Sequence, residues 1–354
     1  MKILGFLLLA VPVAIAAALL RAPASVVFAL AALAIVPLSG FLGRATEELA
    51  AYTGPTLGGL LNATLGNLAE LIIAVLALRA GMVDLVKASI TGSILGNLLL
   101  VLGLAQLAGG LRYKVQRFNV NLAGLSISLL VVAVIGLVIP ALFHATHVDP
   151  TRDLTRRVSI GVAALLIIGY ALSLVYSMGT HRAVFGESGE VSECEHPSGA
   201  HPRWSKGRSI LVLVASAAFV AWLSEILVGS TEAAIRDVGL SEIFVGLIIV
   251  PIIGNAAEHS SAVLMAMKNR MDIAVSIAVG SSAQVALLIA PVLVFVGLAL
   301  GQPMDLAFTT FEVVSIALGV AVAASVVRDA ETNWLEGAFL LLVYGMLAVA
   351  FFFY

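Results

Sequence analysis

Apolar runs close to the ~20 residues that cross a hydrocarbon core recur along almost the whole chain. They fall at about 3–20, 25–43, 57–78, 85–108, 119–143, 158–178, 209–228, 243–266, 272–300, 306–327 and 334–353, with polar residues gathered in the stretches between them. The pattern predicts an all-α integral membrane protein of eleven transmembrane helices. Lys2, the run Ile3–Leu20 and Ala22-Pro23-Ala24 also fit a cleaved signal peptide, which would leave ten spans. One long polar linker, residues 179–206, divides the remainder. The expected organisation is an extra N-terminal helix over 1–23, a first five-helix repeat over 24–178, the acidic linker over 179–206 and a second five-helix repeat over 207–354. Five is odd, so the second set of spans enters the membrane from the opposite side, the arrangement of inverted-repeat transporters.

Composition agrees with the pattern. The chain has 354 residues, 61% hydrophobic and only 11% charged, against roughly 25% charged in an ordinary soluble domain. A net charge of −2 and the lack of any Lys/Arg-rich block argue against a nucleic-acid partner. The single cysteine, Cys194, excludes an intrachain disulfide framework. Twelve of the nineteen Lys and Arg residues fall in loops on the amino-terminal side of the predicted spans, which places the amino terminus in the cytoplasm and the carboxyl terminus outside it. The short termini point to a prokaryotic plasma membrane.

Within this apolar background one motif occurs twice. Gly66-Asn67-Leu68-Ala69-Glu70 and Gly254-Asn255-Ala256-Ala257-Glu258 lie 188 positions apart, and the offset persists in Asp84 with Asp272 and in Gly92-Ser93 with Gly280-Ser281. One unit has been used twice. Asn62, Gly66 and Glu70 share a helix face at four-residue steps, with Asn67 three residues before Glu70, and Pro251, Gly254, Asn255 and Glu258 are placed similarly. Glycine and proline in mid-span loosen the helix, and freed carbonyls are tolerated at that depth only where they line a cavity or meet other polar groups. The following spans add Ser89, Ser93 and Asn97 in one half and Ser281 and Gln284 in the other. The glycines also suit close helix packing, and the serines and amides suit interhelical bonding. No Lys or Arg lies inside the two spans that carry Glu70 and Glu258, so a structural ion pair does not account for these acids.

Two carboxylates with neutral oxygens, and no thiol or imidazole cluster, describe a hard-cation site suited to Ca²⁺, with Glu70 and Glu258 as the metal-binding residues. Such a pair in a low-dielectric cavity does not stay doubly ionised without a cation, because desolvation and mutual repulsion favour protonation. It holds protons or metal. A site that crosses only when loaded or protonated is an exchanger, and two protons for one Ca²⁺ is the minimum that neutralises it. Ca²⁺ and H⁺ are then transported substrates, no cofactor is expected, and the bilayer is the remaining partner.

Other acids lie along the two access paths. Glu47, Glu48 and Glu232 close the first span of each half, whereas Glu225 and Glu312 lie deeper in apolar sequence. All five are candidates for gating or cation relay, and His259, beside Glu258 but on another face, suits packing or a gating hydrogen bond. In the linker, Glu193-Cys194-Glu195-His196 with His201 fits no tetrahedral metal pattern well, so that stretch reads as a solvated connector; His144, His147 and Asp149 read likewise.

At these residues the chain resembles Ca²⁺/H⁺ antiporters of the CAX type, within the calcium/cation antiporter superfamily. The two Gly-Asn-x-Ala-Glu blocks, the second followed by His259, resemble that family's paired repeat motifs, and the likeness extends over nearly the whole chain. It implies that Glu70 and Glu258 alternate between Ca²⁺ and H⁺, with Asn67, Asn255 and nearby carbonyls supporting them. It implies further that the first span of each half slides as a gating bundle, and that Gly280-Ser281-Ser282-Ala283-Gln284 is the polar stretch following the second motif. The linker carries only four glutamates, fewer than the strongly acidic helix associated with the family. Asn97 and Gln284 are neutral where a Na⁺/Ca²⁺ exchanger of the superfamily would be expected to add an acid, which ranks Na⁺- or K⁺-driven exchange second. A cation channel using the acidic pair as a selectivity ring is the reading from another class. An enzyme is not expected: the sequence has no His-Glu-x-x-His run and no Gly-x-Ser-x-Gly elbow.

Overall fold

The computed structural model describes residues 7–147, 149, 151–181 and 203–354. The linker positions Glu187, Glu190, Glu193, Cys194, Glu195, His196 and His201, and the start of the first predicted span, lie outside the described residues.

The chain forms α1 (Ala10–Leu19), α2 (Ala24–Ala50), α3 (Gly54–Leu65), α4 (Leu68–Arg79) and α5 (Val83–Leu95). A π-helical segment, Gly96–Val101, carries α5 into α6 (Leu102–Arg112). Next come β1 (Gln116–Arg117), α7 (Val120–Thr146), α8 (Asp153–Val175) and α9 (Lys206–Val238). The second half continues with α10 (Glu242–Phe244), a π-helical segment Val245–Ile249, α11 (Val250–Gly254) and α12 (Ala256–Ala266). Then follow α13 (Met271–Gln284), a π-helical segment Val285–Ile289, α14 (Ala290–Ala299), α15 (Thr310–Val326), β2 (Glu331–Thr332) and α16 (Trp334–Phe353).

Seven helices among the described residues are long and apolar enough to cross a membrane, and the pair ending in α11 and α12, bent by 62°, makes an eighth if it is one span. α1 and α15 are shorter apolar helices. Large aliphatic side chains such as Leu165, Leu172 and Leu342 stand exposed, as expected of helix faces that meet lipid.

The structure revises three of the predicted spans. The run at 57–78 is not one helix but α3 and α4, parted at Gly66-Asn67, and the run at 243–266 is parted at Asn255. The run expected from 306 begins its helix only at Thr310. The cause is a capping box, in which Thr309 and Glu312 bond each other's backbone N–H and fix the helix start.

Two compact units emerge, each drawing on both sequence halves. Among the described residues the first comprises 7–89, 203–258 and Tyr354, and the second 90–181 and 259–353, less positions 148 and 150. In the first, α9 packs along α2 and also against α4. Gly246 lies so close to α5 that a Cβ there would sit 2.8 Å from both Ala88 Cβ and Leu85 O. In the second, α6 crosses α16 with backbones touching: a Cβ at Gly103 would lie 3.0 Å from Gly337 O, and one at Gly337 would lie 2.4 Å from Leu107 N. Small residues allow this approach, which supplies dispersion contacts where the hydrophobic effect is weak. β1 pairs antiparallel with β2, and Gln116 Nε2 donates to Ala266 O at 2.8 Å and to Asn269 Oδ1 at 3.0 Å. Between α14 and α15, residues Met304 to Phe308 are buried without regular structure; Leu306 N–H donates to Ser159 Oγ at 3.0 Å.

Candidate functional site

In the first compact unit both motif copies break their helix at the asparagine. Asn67 has φ −92° and ψ 19°, and Asn255 has φ −105° and ψ 13°, a region that asparagine enters more readily than β-branched residues. The new helix restarts at the next residue, which puts Glu70 in the first turn of α4 and Glu258 in the first turn of α12. An anion there meets the positive end of the helix dipole, an interaction of roughly 0.3–1 kcal/mol when exposed and up to about 2 kcal/mol when partly buried. The preceding helix ends at the same point, where Asn62 O still accepts from the Gly66 N–H and Pro251 O from the Asn255 N–H.

The two copies meet reciprocally. A Cβ at Gly66 would lie 3.8 Å from Glu258 Oε1, and a Cβ at Gly254 would lie 3.7 Å from Glu70 Cβ and 3.8 Å from its Cα. Each glycine therefore stands beside the glutamate of the other copy. Glu70, Asn67 and Asn255 are buried, and Glu258 is half-buried. This arrangement of two carboxylates and two amides can take a hard cation or protons.

The other expected polar residues belong to the second unit and are described there. Asn97 Nδ2 donates to Ser281 Oγ at 3.2 Å, with Asn97 and Ser281 both buried. Ser93 is buried and Gln284 half-buried on the same two helical stretches. Ser282 Oγ lies 2.9 Å from Ala278 O and 3.3 Å from Ile94 O. His259 is half-buried on α12.

The acids considered for the access paths have diverse surroundings. Glu312 is buried, its Oε1 accepting from Thr91 Oγ1 at 3.1 Å and its Oε2 from the Thr309 N–H at 3.0 Å and hydroxyl at 2.9 Å. Glu232 is exposed and 4.0 Å from Arg236 one turn on, and Glu47 is exposed. Glu48 Oε2 accepts the backbone N–H of Trp204 at 3.1 Å. Glu225, exposed on α9, lines a cleft of about 260 Å³ with Leu76, Arg79, Ala80, Val228 and Gly229. At the other candidate positions, Asp149 is half-buried and its Oδ2 accepts from the Thr155 N–H at 2.8 Å and hydroxyl at 2.9 Å. The Thr155 N–H holds the Asp149 carboxyl below its usual range. No group of three or more His, Cys, Asp or Glu that could hold a metal is found among the described residues.

Sequence reasoning missed four π-helical segments inside the spans: Gly96–Val101, Val245–Ile249, Val285–Ile289 and Tyr176–Thr180, the last of which extends α8. Two of them precede a proline, at Pro251 and Pro291: Val250 N–H reaches Val245 O and Ala290 N–H reaches Val285 O, five residues back. A proline has no N–H to donate, and the widened turn rearranges the ladder just ahead of it. Prolines within otherwise apolar runs were the available signal.

Comparison with known proteins bears on the whole chain. The family described as sodium/calcium exchanger protein matches residues 23–179 and 208–353. A Ca²⁺/H⁺ antiporter of Synechocystis sp. is 46% identical, covering 100% of this chain and 98% of its own. The Ca²⁺/H⁺ antiporter ChaA of Bacillus subtilis is 42% identical over 97% of this chain and 96% of its own. The solved structure of native YfkE is 39% identical and superposes with a TM-score of 0.85 over 99% of this chain and 100% of that one. The chain is a multi-pass membrane protein and belongs to the sodium/calcium exchanger protein family.

Proposed function

We propose that the protein is a secondary transporter, not an enzyme, that exchanges Ca²⁺ for H⁺, with Glu70 and Glu258 binding either one Ca²⁺ or protons. The observation that carries this reading is the reciprocal approach of each motif's glycine to the other motif's glutamate, with both acids in the first turn of a restarted helix. The relatives named as Ca²⁺/H⁺ antiporters support the choice of ions. Asn67 and Asn255 complete the ligand set, and Ser93, Asn97, Ser281 and Gln284 are supporting polar groups. Glu47, Glu48, Glu225, Glu232 and His259 serve access or gating.

The finer architecture belongs to the same proposal: eleven spans, an extra first helix and two inverted five-helix repeats. It is supported by the helix breaks at Asn67 and Asn255, 188 residues apart, and by the π-helical segments Gly96–Val101 and Val285–Ile289, which end at the same offset. The amino terminus faces the cytoplasm of a prokaryotic cell and the carboxyl terminus lies outside. Access alternates because the pair crosses only when its charge is neutralised. In reconstituted vesicles with an acidic interior, Ca²⁺ is taken up as protons leave, with no Na⁺ present. Uptake that requires Na⁺, or passive flux far above transporter rates, overturns the proposal.

A further inference from the structure

Trp204 immediately precedes Ser205, the N-cap of α9, whose hydroxyl accepts the Arg208 N–H at 3.3 Å. Although it lies between exposed neighbours, the tryptophan is buried, with 7% of its surface exposed. Four groups hold it. The guanidinium carbons of Arg44 and Arg208 each lie 5.0 Å from the centre of its ring, within the range of cation–π attraction. Its backbone N–H donates to Glu48 Oε2 at 3.1 Å, and its carbonyl accepts from the Tyr52 hydroxyl at 2.6 Å. Arg44 and Glu48 are one turn apart on α2, Tyr52 lies in the turn after it, and Arg208 is in the first turn of α9. One residue thus fastens the end of α2 to the beginning of α9, the helix packed along it.

Nothing in this arrangement is needed merely to start α9, since Ser205 already caps it. Burying an indole against two guanidinium groups, with both backbone polar groups of the same residue also bonded, restrains the two helices against sliding past one another. We propose that Trp204 is a positioning residue for exchange: it makes α2 and α9 move as one body, so that a displacement of either is transmitted to the other. Glu48, Arg44 and Tyr52 act through it and not as ligands of the transported cation. The inference rests on the alternating-access reading above, in which the first span of each half is the moving part.

The test uses the full chain in vesicles. Trp204→Ala is expected to lower maximal Ca²⁺ uptake by about fivefold or more while KM for Ca²⁺ changes by less than about twofold, the pattern of a lost step and not of lost binding. Trp204→Phe keeps a ring for the guanidinium groups and is expected to recover most of the rate. A thiol-cleavable bifunctional crosslink between cysteines introduced at Arg44 and Arg208 in the Trp204→Ala background, with Cys194 replaced by Ser, is expected to restore uptake, and its cleavage to remove it again. A Trp204→Ala protein with normal maximal uptake overturns the inference, as does a loss of rate that neither phenylalanine nor the crosslink recovers in protein of normal yield and monodispersity. Failure of the exchange reading itself is seen separately, as Na⁺-dependent or passive flux in the unsubstituted protein.

Discussion

The second motif copy sits after a proline and a π-helical turn, Val245–Ile249 followed by Pro251, whereas the residue 188 positions before Pro251 is Ala63, within the continuous helix α3. Both copies nevertheless break at the same place, with Gly66 N–H bonded to Asn62 O at 2.8 Å and Asn255 N–H to Pro251 O at 3.0 Å. The shared feature is the Gly-Asn pair, so that pair and not the proline sets the break. The later polar stretch is asymmetric too. Ser93 has Ser281 as its counterpart, but Asn97 has Val285, and the Asn97–Ser281 bond joins an element of one copy to an element of the other.

If the copies are equivalent where it matters, Glu70→Gln and Glu258→Gln should each reduce H⁺-driven Ca²⁺ uptake by about 100-fold or more, because either change removes one of the two charges of the proposed site. Yield and thermal unfolding of the purified variants should stay close to those of the parent. Substantial uptake by either one would break the symmetry and the two-carboxylate site together. The glycines should differ. A Cβ at Gly66 would lie 2.7 Å from Asn62 O, whereas every contact of a Cβ at Gly254 is 3.7 Å or longer. Gly66→Ala is therefore expected to cut uptake by about tenfold, through backbone displacement at the site, with Gly254→Ala costing clearly less.

Asn97→Val makes the two copies alike at that position and removes the bond to Ser281; thermal unfolding should report a loss of about 1 kcal/mol. The smallest effect is expected for Pro251→Ala. If Gly254-Asn255 suffices for the break, uptake stays within about threefold of the parent, since restoring one helical N–H changes neither the acid nor the asparagine. A large loss there would show that the second copy depends on its proline after all.

The sequence made the recurrence of apolar runs legible because lipid demands about 20 such residues per crossing. It also singled out Glu70 and Glu258, because an acid at that depth is costly and rare. The mid-span glycines and Pro251 marked where the helices loosen, but not the residue at which each restarts, because hydropathy does not register a change of backbone direction. Glu312 stood out in the sequence only by its depth in an apolar run; the bonds to Thr309, three residues before it, and to Thr91, 221 residues before it, came with the structure. The Thr309–Glu312 spacing was the available clue. Trp204 gave no periodic signal, being a single residue before a helix whose contacts come from about 160 positions upstream. Which polar groups share a compact unit also depends on tertiary packing, since each unit draws on both halves of the chain.

The connection from Met304 to Phe308 carries a consequence of its own. It has the appearance of a linker, yet Met304 and Leu306 are wholly enclosed, Leu306 N–H is held by Ser159, and Ala307 N–H by the Asp305 carboxylate at 3.0 Å. Loops ordinarily absorb inserted residues at little cost. This one behaves as masonry: it fills volume between helices, and an added residue would have to displace interior side chains instead of bulging into water.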